Sequence, residues 1–209
     1  MWNDLCRIDI HIDKQRCIMK LTTEEFLANT EVCPVIAALN KWEAVEKVGN
    51  VDCMMVNVLF GDICTIADIV KELKKMGKIV FVHVDLITGF ASKEICVDFI
   101  KKYTEADGII STKPFLIKRA NELGLFTIQR FFMIDFITYA NVVKHVRVTD
   151  PNVVELLPAG LSKVIRYLCA EIDRPVIAGG LILDKDDVIG ALSAGAIAIS
   201  TTNQEIWRD

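Results

Sequence analysis

The sequence predicts an α/β fold, a single-domain (β/α)8 barrel of the TIM type. A short apolar run followed by a stretch with helical spacing recurs about every 20–25 residues, and eight such runs occur along the chain. Most runs are continuously apolar rather than alternating, which is typical of parallel strands buried on both faces. With 209 residues, 52% of them hydrophobic, the chain suits one compact barrel, a fold that typically has about 250 residues.

The eight predicted strands follow one another in regular order. They occupy residues 35–39, 51–60, 78–85, 107–112, 126–132, 153–158, 175–180 and 196–201. Apolar residues with helical spacing lie between them, among them Ile66, Ile69, Val70, Leu73, Ile95, Phe99, Ile100, Leu116, Ile117, Ala120, Val188, Ala191 and Leu192. Gly77, Gly124 and Gly195 follow the expected helix ends, and Ser92 and Ser162 lie near expected helix starts.

The alternative architecture is an open doubly wound sheet, which usually carries a glycine-rich loop after its first strand. Here the first strand leads into Asn40 and Lys41 in the string AALNKWE, which has no glycine. The barrel is therefore the favoured fold.

The N-terminal residues 1–20 lie outside the repeat and are predicted to be an extension, so that residues 21–209 form the barrel domain. The alternating isoleucines between residues 8 and 12 suit a short strand. The extension lacks the apolar segment of a signal peptide, and no apolar run approaches the roughly 20 residues of a membrane span. The 7 cysteines include no CxxC pair, which favours reduced thiols in a cytoplasmic protein.

The net charge of −4 gives no basic footprint of the kind that nucleic-acid-binding proteins show. Basic residues occur in local groups on helical stretches, for example Lys71, Lys74, Lys75 and Lys78, beside acidic residues. This pattern favours solvated helix faces over an RNA-binding patch.

Two adjacent strand ends predict a phosphate site. Gly179 and Gly180 end the seventh strand, and Ser200 and Thr201 end the eighth. In such barrels the loops after these strands often bind phosphate, because glycine lets backbone N–H groups approach oxygen atoms and hydroxyl groups add donors. The alternative is a tight turn at Gly179 and a helix cap at Ser200.

Two cations lie near strand ends and suit an anionic ligand. Lys113 follows the fourth strand, and Arg130 lies inside the fifth. The alternative for Lys113 is an exposed loop lysine. The alternative for Arg130 is a buried ion pair with Glu155 of the neighbouring strand, and one arginine can serve both purposes.

His83 and Asp85 stand two residues apart in the string FVHVD, so on a strand their side chains share one face. Such a pair suits acid–base catalysis or the binding of hydroxyl groups, and the alternative is a histidine buried in the core. The chain shows neither a metal-binding signature nor a nucleophile motif. We therefore assign no catalytic residue and no metal ligand, and the residues indicate a cradle for a phosphorylated ligand.

Six strings occur in order along the chain: HVDLITGF, ADGIISTK, GLFTIQRFFMID, VELLPAG, VIAGGLI and AISTTNQEIW. Together they resemble the glycerol-uptake operon antiterminator family, from about Cys33 to Trp207. The resemblance implies a regulator rather than an enzyme: a barrel that binds glycerol 3-phosphate without converting it, needs no cofactor and acts on leader mRNA. The strand-end residues matched in this way are His83, Asp85, Ser111, Thr112, Gln129, Arg130, Glu155, Gly179, Gly180, Ser200 and Thr201.

Asn40 and Thr88 depart from residues common in that family, so the expected ligand is stated as a small phosphorylated polyol. One competing hypothesis is a metabolic enzyme acting on a phosphorylated sugar or triose, with His83 and either Asp85 or Glu155 as acid and base. Another is a ligand-binding barrel that works through a protein partner. A homo-oligomer is a further expectation, since a dimer would bring the scattered cations together.

Overall fold

Eight parallel strands close into a barrel in the computed structural model, which describes residues 20–208. The strands are β1 Val35–Leu39, β2 Met55–Val58, β3 Ile79–His83, β4 Gly108–Ser111, β5 Phe126–Phe132, β6 Val153–Leu157, β7 Val176–Gly179 and β8 Ala198–Thr201. Each strand pairs with the next in sequence, and β8 pairs with β1. The predicted fold is confirmed.

Helices alternate with the strands. They are α1 Thr23–Val32, α2 Trp42–Val48, α3 Ile66–Lys75, α4 Ile95–Tyr103, α5 Pro114–Glu122, α6 Phe136–Thr149, α7 Ser162–Glu171 and α8 Lys185–Ser193, with 3-10 helices at Val84–Leu86 and Ile206–Arg208. The expected apolar faces of α3 and α5 are buried. Gly77, Gly124 and Gly195 follow helix ends with φ of 76°, 68° and 107°, a conformation that favours glycine. None of the helices in this part of the chain is long and apolar enough to cross a bilayer.

Two predicted strands are longer than the observed ones. The run 51–60 forms a strand only over Met55–Val58, and the run 78–85 ends as a strand at His83. Asp85 lies in the following 3-10 helix, so the prediction that His83 and Asp85 share one strand face is wrong. The chain turns there because the Asp85 carboxylate accepts hydrogen bonds from Ser111 and Thr112 at the end of β4.

Helix α1 was not expected, and it closes the amino-terminal end of the barrel. Its start is a capping box in which Thr22 and Glu25 bond reciprocally. Phe26 is fully buried and stacks on Phe126 with ring centroids 4.9 Å apart, and it meets the edge of Phe81 at 5.8 Å. The predicted extension, except for its last residue, lies outside the described residues.

The barrel interior is built in layers, each holding side chains from alternate strands. The strand register places the bulky apolar residues Ile36, Phe81, Ile128 and Ile177 of the odd-numbered strands in one layer. Below it lie Met55, Gly108, Val153 and Ala198 of the even-numbered strands. All except Gly108 belong to one buried apolar cluster together with Phe26. We call these two layers the apolar floor, and the layers nearer the carboxyl ends of the strands rest on it.

Gly108 leaves room for Phe126 in the apolar floor. Any side chain at position 108 is therefore expected to lower the stability of the protein. A Cβ at Gly108 would lie 2.2 Å from the Phe126 carbonyl oxygen and 2.8 Å from its Cβ. Because backbone must move, we expect Gly108→Ala to lower the free energy of unfolding by about 1–3 kcal/mol. A matched control is Gly190→Ala in α8, where the nearest atom is the Ser162 hydroxyl oxygen at 3.7 Å. Equal urea midpoints for the two variants would contradict the packing argument.

Candidate functional site

Above the apolar floor the interior becomes polar. The next layer holds Asn57, Ile110, Glu155 and Ser200 from the even-numbered strands, and the uppermost layer holds Ala38, His83, Arg130 and Gly179 from the odd-numbered strands. We call Asn57, His83, Arg130, Glu155 and Ser200 the polar mouth. All five are at most 6% exposed. Buried polar groups at the carboxyl ends of barrel strands indicate a binding site.

Arg130 and Glu155 are direct neighbours in the register of β5 and β6. The Arg130 Nε donates to Glu155 Oε2 at 2.7 Å, so the buried ion pair named as the alternative for Arg130 is present. The other carboxylate oxygen, Glu155 Oε1, is buried and has no hydrogen-bond partner among the described residues. A Cβ at Gly179 would lie 2.9 Å from this oxygen, so any residue larger than glycine would press against Oε1.

Asn57 is a site residue that the sequence analysis did not include among the ligand contacts. Its Nδ2 donates to Ser200 Oγ at 3.0 Å, which joins β2 to β8. The Asn57 Oδ1 is buried without a partner in the described chain. The available signal was an amide inside the apolar run MMVNVLF. Ser200 lies within β8 and bonds Asn57, so the alternative role as a helix cap does not apply to it.

His83 is the third member of the mouth with an atom, its Nδ1, that has no hydrogen-bond partner within residues 20–208. Burial, followed by the positive charge of Arg130, lowers the pKa of His83 to about 3. The imidazole is therefore neutral at physiological pH, so it does not repel the guanidinium beside it.

This lowered pKa predicts a pH dependence of stability. An unfolded histidine has a pKa near 6.5, so between about pH 6.5 and 3 the unfolded chain binds a proton at His83 that the native chain does not. The free energy of unfolding then falls as the pH falls through this window. We expect a drop from pH 7 to 4 that is about 3 kcal/mol larger in the wild type than in His83→Gln. Urea unfolding at both pH values measures it, with His145→Gln as the control; equal pH dependence in all three proteins would contradict it.

Asp85 and Lys113 form the rim of the barrel beside β3 and β4 rather than part of the polar mouth. Burial alone would raise the pKa of Asp85, but hydrogen bonds from Thr112 and Ser111 outweigh it and lower that pKa. The Lys113 Nζ lies 3.6 Å from Asp85 and donates to Ser92 Oγ at 2.5 Å. Lys113 is therefore held by the rim and contributes to the field of the site from its edge.

The loop after β7 bends through two left-handed residues, Gly180 at φ 72° and Leu181 at φ 54°. The first turn of α8 is acidic, and Asp184 caps it by accepting from the Asp187 N–H. The amino end of α8 is therefore occupied by acidic side chains. The Thr201 hydroxyl accepts from the Asn203 N–H at 3.0 Å and stabilises the turn after β8.

Gln129 points away from the mouth. Side chains alternate along a strand, and Arg130 faces inwards, so Gln129 faces the helices and accepts from the Thr149 hydroxyl of α6 at 2.5 Å. The family resemblance matched Gln129 as a strand-end residue, and its side chain lies outside the barrel interior. Within residues 20–208 no group of histidine, cysteine, aspartate and glutamate residues is arranged to hold a metal ion.

Comparison with known proteins agrees with the strings found in the sequence. The family model described as glycerol-3-phosphate responsive antiterminator matches residues 35–207. The protein YgcP of Escherichia coli K12, described as uncharacterized, is 43% identical over 83% of this chain and 91% of its own length.

Two crystal structures show the same architecture. The glycerol uptake operon antiterminator regulatory protein of Listeria monocytogenes superposes with a TM-score of 0.81 at 31% identity, over 84% of this chain and 95% of that one. A glycerol uptake operon antiterminator-related protein of Thermotoga maritima gives a TM-score of 0.74 at 32% identity, over 83% and 96%. From the family match and these relatives, we conclude that the chain belongs to the glycerol-3-phosphate responsive antiterminator family.

Proposed function

We propose that this protein is a cytoplasmic, glycerol 3-phosphate-responsive transcription antiterminator. In this proposal a small phosphorylated polyol binds in the polar mouth, and the bound form acts on leader mRNA so that transcription of glycerol-use genes passes a terminator. The observation that carries it is a buried polar mouth with three unpartnered polar atoms, on Asn57, His83 and Glu155, in a chain of this family.

The proposed ligand has its phosphate between the ends of β7 and β8. Ala38 and Gly179, the small members of the uppermost layer, lie on the two strands that flank Ser200. The Ser200 oxygen already accepts from Asn57, so its own hydrogen is free to be donated to a phosphate oxygen. The Arg130 guanidinium supplies the buried positive charge on the other side of the mouth.

The chemistry of the mouth favours binding over turnover. A general acid or base works best with a pKa near the operating pH, and His83 has a pKa of about 3. Glu155 is engaged by Arg130 at 2.7 Å. We therefore propose a regulator that uses no cofactor, and the enzyme hypothesis would need other groups for proton transfer.

The proposed RNA contact requires cations gathered from several elements. On α3, Lys75 pairs with Glu72 at the surface, as on a solvated helix face, whereas Lys74 makes a partly buried ion pair with Asp107. Lys78 is buried and donates to the carbonyl oxygens of Val51 and Cys53, so the predicted solvated face does not include it. Because counterion release needs several clustered cations, we propose that a homo-oligomer presents the RNA surface.

Titration of the chain into fluorescently labelled leader RNA, with and without glycerol 3-phosphate, tests the proposal. We expect the effector to tighten RNA binding about tenfold or more, which corresponds to a coupling free energy typical of allosteric proteins. The affinity should fall steeply as salt rises from 50 to 200 mM. Glycerol and inorganic phosphate are the controls. Effector binding without any change in RNA binding would favour a protein partner, and conversion of the ligand would favour the enzyme.

A further inference from the structure

Two of the unpartnered atoms of the polar mouth are hydrogen-bond acceptors. Glu155 is the partner of a guanidinium and 1% exposed, and a carboxylate oxygen accepts hydrogen bonds but donates none. Within the described part of the chain its Oε1 is buried without a partner, as is the carbonyl oxygen Oδ1 of Asn57. Both atoms therefore lack a donor.

The two acceptors lie at the same height on opposite sides of the barrel interior. Glu155 and Asn57 belong to one layer, and β6 lies four strands from β2 in the closed ring of eight. Gly179 places no side chain against Oε1, since a Cβ there would lie 2.9 Å from that oxygen. The Asn57 amide nitrogen donates one of its two hydrogens to Ser200 Oγ, and its oxygen accepts from no group of the described residues.

A buried acceptor without a donor lowers affinity for any ligand that fails to supply one. We propose that the polar mouth distinguishes ligands by their oxidation state: it binds phosphorylated compounds with hydroxyl groups more tightly than those with a carbonyl group at the same carbon. This inference rests on the proposed function, which places the ligand in the mouth. A hydroxyl group donates to Glu155 Oε1 or Asn57 Oδ1, whereas a carbonyl oxygen only accepts and leaves one of them unpaired.

Other groups of the mouth do not remove this preference. Arg130, the second amide hydrogen of Asn57 and an N–H of His83 can each donate to a phosphate or a carbonyl oxygen, but no ligand oxygen bound to them supplies the hydrogen that Oε1 lacks. A carboxylate group on the ligand would be repelled by the Glu155 carboxylate, a like charge in the same buried site. The ligand class is thus a reduced, polyhydroxylated phosphate ester.

Calorimetric titration of the full chain tests this with three probes that share a phosphate. Glycerol 3-phosphate carries two hydroxyl groups, dihydroxyacetone phosphate has a carbonyl group in place of one of them, and inorganic phosphate has no carbon chain. We expect dihydroxyacetone phosphate to bind about tenfold more weakly than glycerol 3-phosphate or worse. Equal affinity, or a preference for the ketone, would overturn this inference and leave the proposed function standing. If none of the three binds, the proposed function fails as well.

A variant locates the discrimination at Glu155. Glu155→Gln can turn its amide N–H towards the ligand while its oxygen accepts from Arg130, so it offers a donor where the wild type offers an acceptor. We expect the ratio of the two affinities to fall to near one. Asp98→Asn is the matched control, a carboxylate paired with Arg119 on the outer helices, and it should keep the wild-type ratio. An unchanged ratio in Glu155→Gln would overturn the assignment; if that variant does not fold, the wild-type series still decides the inference.

Discussion

Replacing Arg130 with methionine is expected to lower the free energy of unfolding by about 3–5 kcal/mol. The substitution leaves the Glu155 carboxylate in a site that is 1% exposed, without the guanidinium that donates to it at 2.7 Å. An uncompensated buried charge costs much more than the ion pair itself contributes. Urea unfolding followed by circular dichroism measures the difference.

Two further variants separate this effect from the loss of any arginine. Arg119→Met removes a guanidinium that pairs with Asp98 and Glu122 on the outer surface, and we expect a loss of about 1 kcal/mol or less. Adding Glu155→Leu to Arg130→Met removes the stranded charge and should restore part of the stability. A loss for Arg130→Met no larger than that for Arg119→Met would contradict the buried-charge argument.

Replacing Gly179 with aspartate is expected to abolish the stabilisation by glycerol 3-phosphate. The new Cβ would lie 2.9 Å from Glu155 Oε1, and its carboxylate would enter the space proposed for the phosphate with a charge of the same sign. In the wild type, ligand at about 100 times its dissociation constant adds roughly 2.7 kcal/mol. Thermal unfolding with and without ligand measures the change in each protein.

The same substitution at Gly160 is the control, because a Cβ there meets no atom within 4 Å. Gly160→Asp should keep the shift in melting temperature, while Gly179→Asp should lose it even if its own melting temperature is unchanged. A full shift in Gly179→Asp would place the ligand elsewhere on the protein.

The strands were predictable because each apolar run is bounded by polar or glycine residues, and glycines mark several helix ends. Helix α1 was not, although the Thr22 and Glu25 capping box was visible in the sequence. Its main buried contact is Phe26 against Phe81 and Phe126. That contact exists only after the barrel has closed, so no local sequence pattern predicts it.

The site residues were predictable where a charged side chain lies in an apolar run. They were less predictable where the position along a strand decides whether a side chain faces the barrel interior or the helices. Arg130 and Glu155 stand out because a charge inside an apolar run needs a partner, and the pair is present. Gln129 looked equally placed, since a strand buried on both faces shows no alternation that tells inward from outward. Asp85 was misplaced because the end of β3 depends on hydrogen bonds to Ser111 and Thr112, which are distant in sequence.

The most direct test of the account is a crystal structure of the chain with glycerol 3-phosphate. We predict the phosphate within hydrogen-bond distance of the Ser200 hydroxyl and the backbone N–H groups after Gly179, and ligand hydroxyl groups on Glu155 Oε1 and Asn57 Oδ1. A ligand bound outside the barrel interior, with the polar mouth filled only by water, would contradict it.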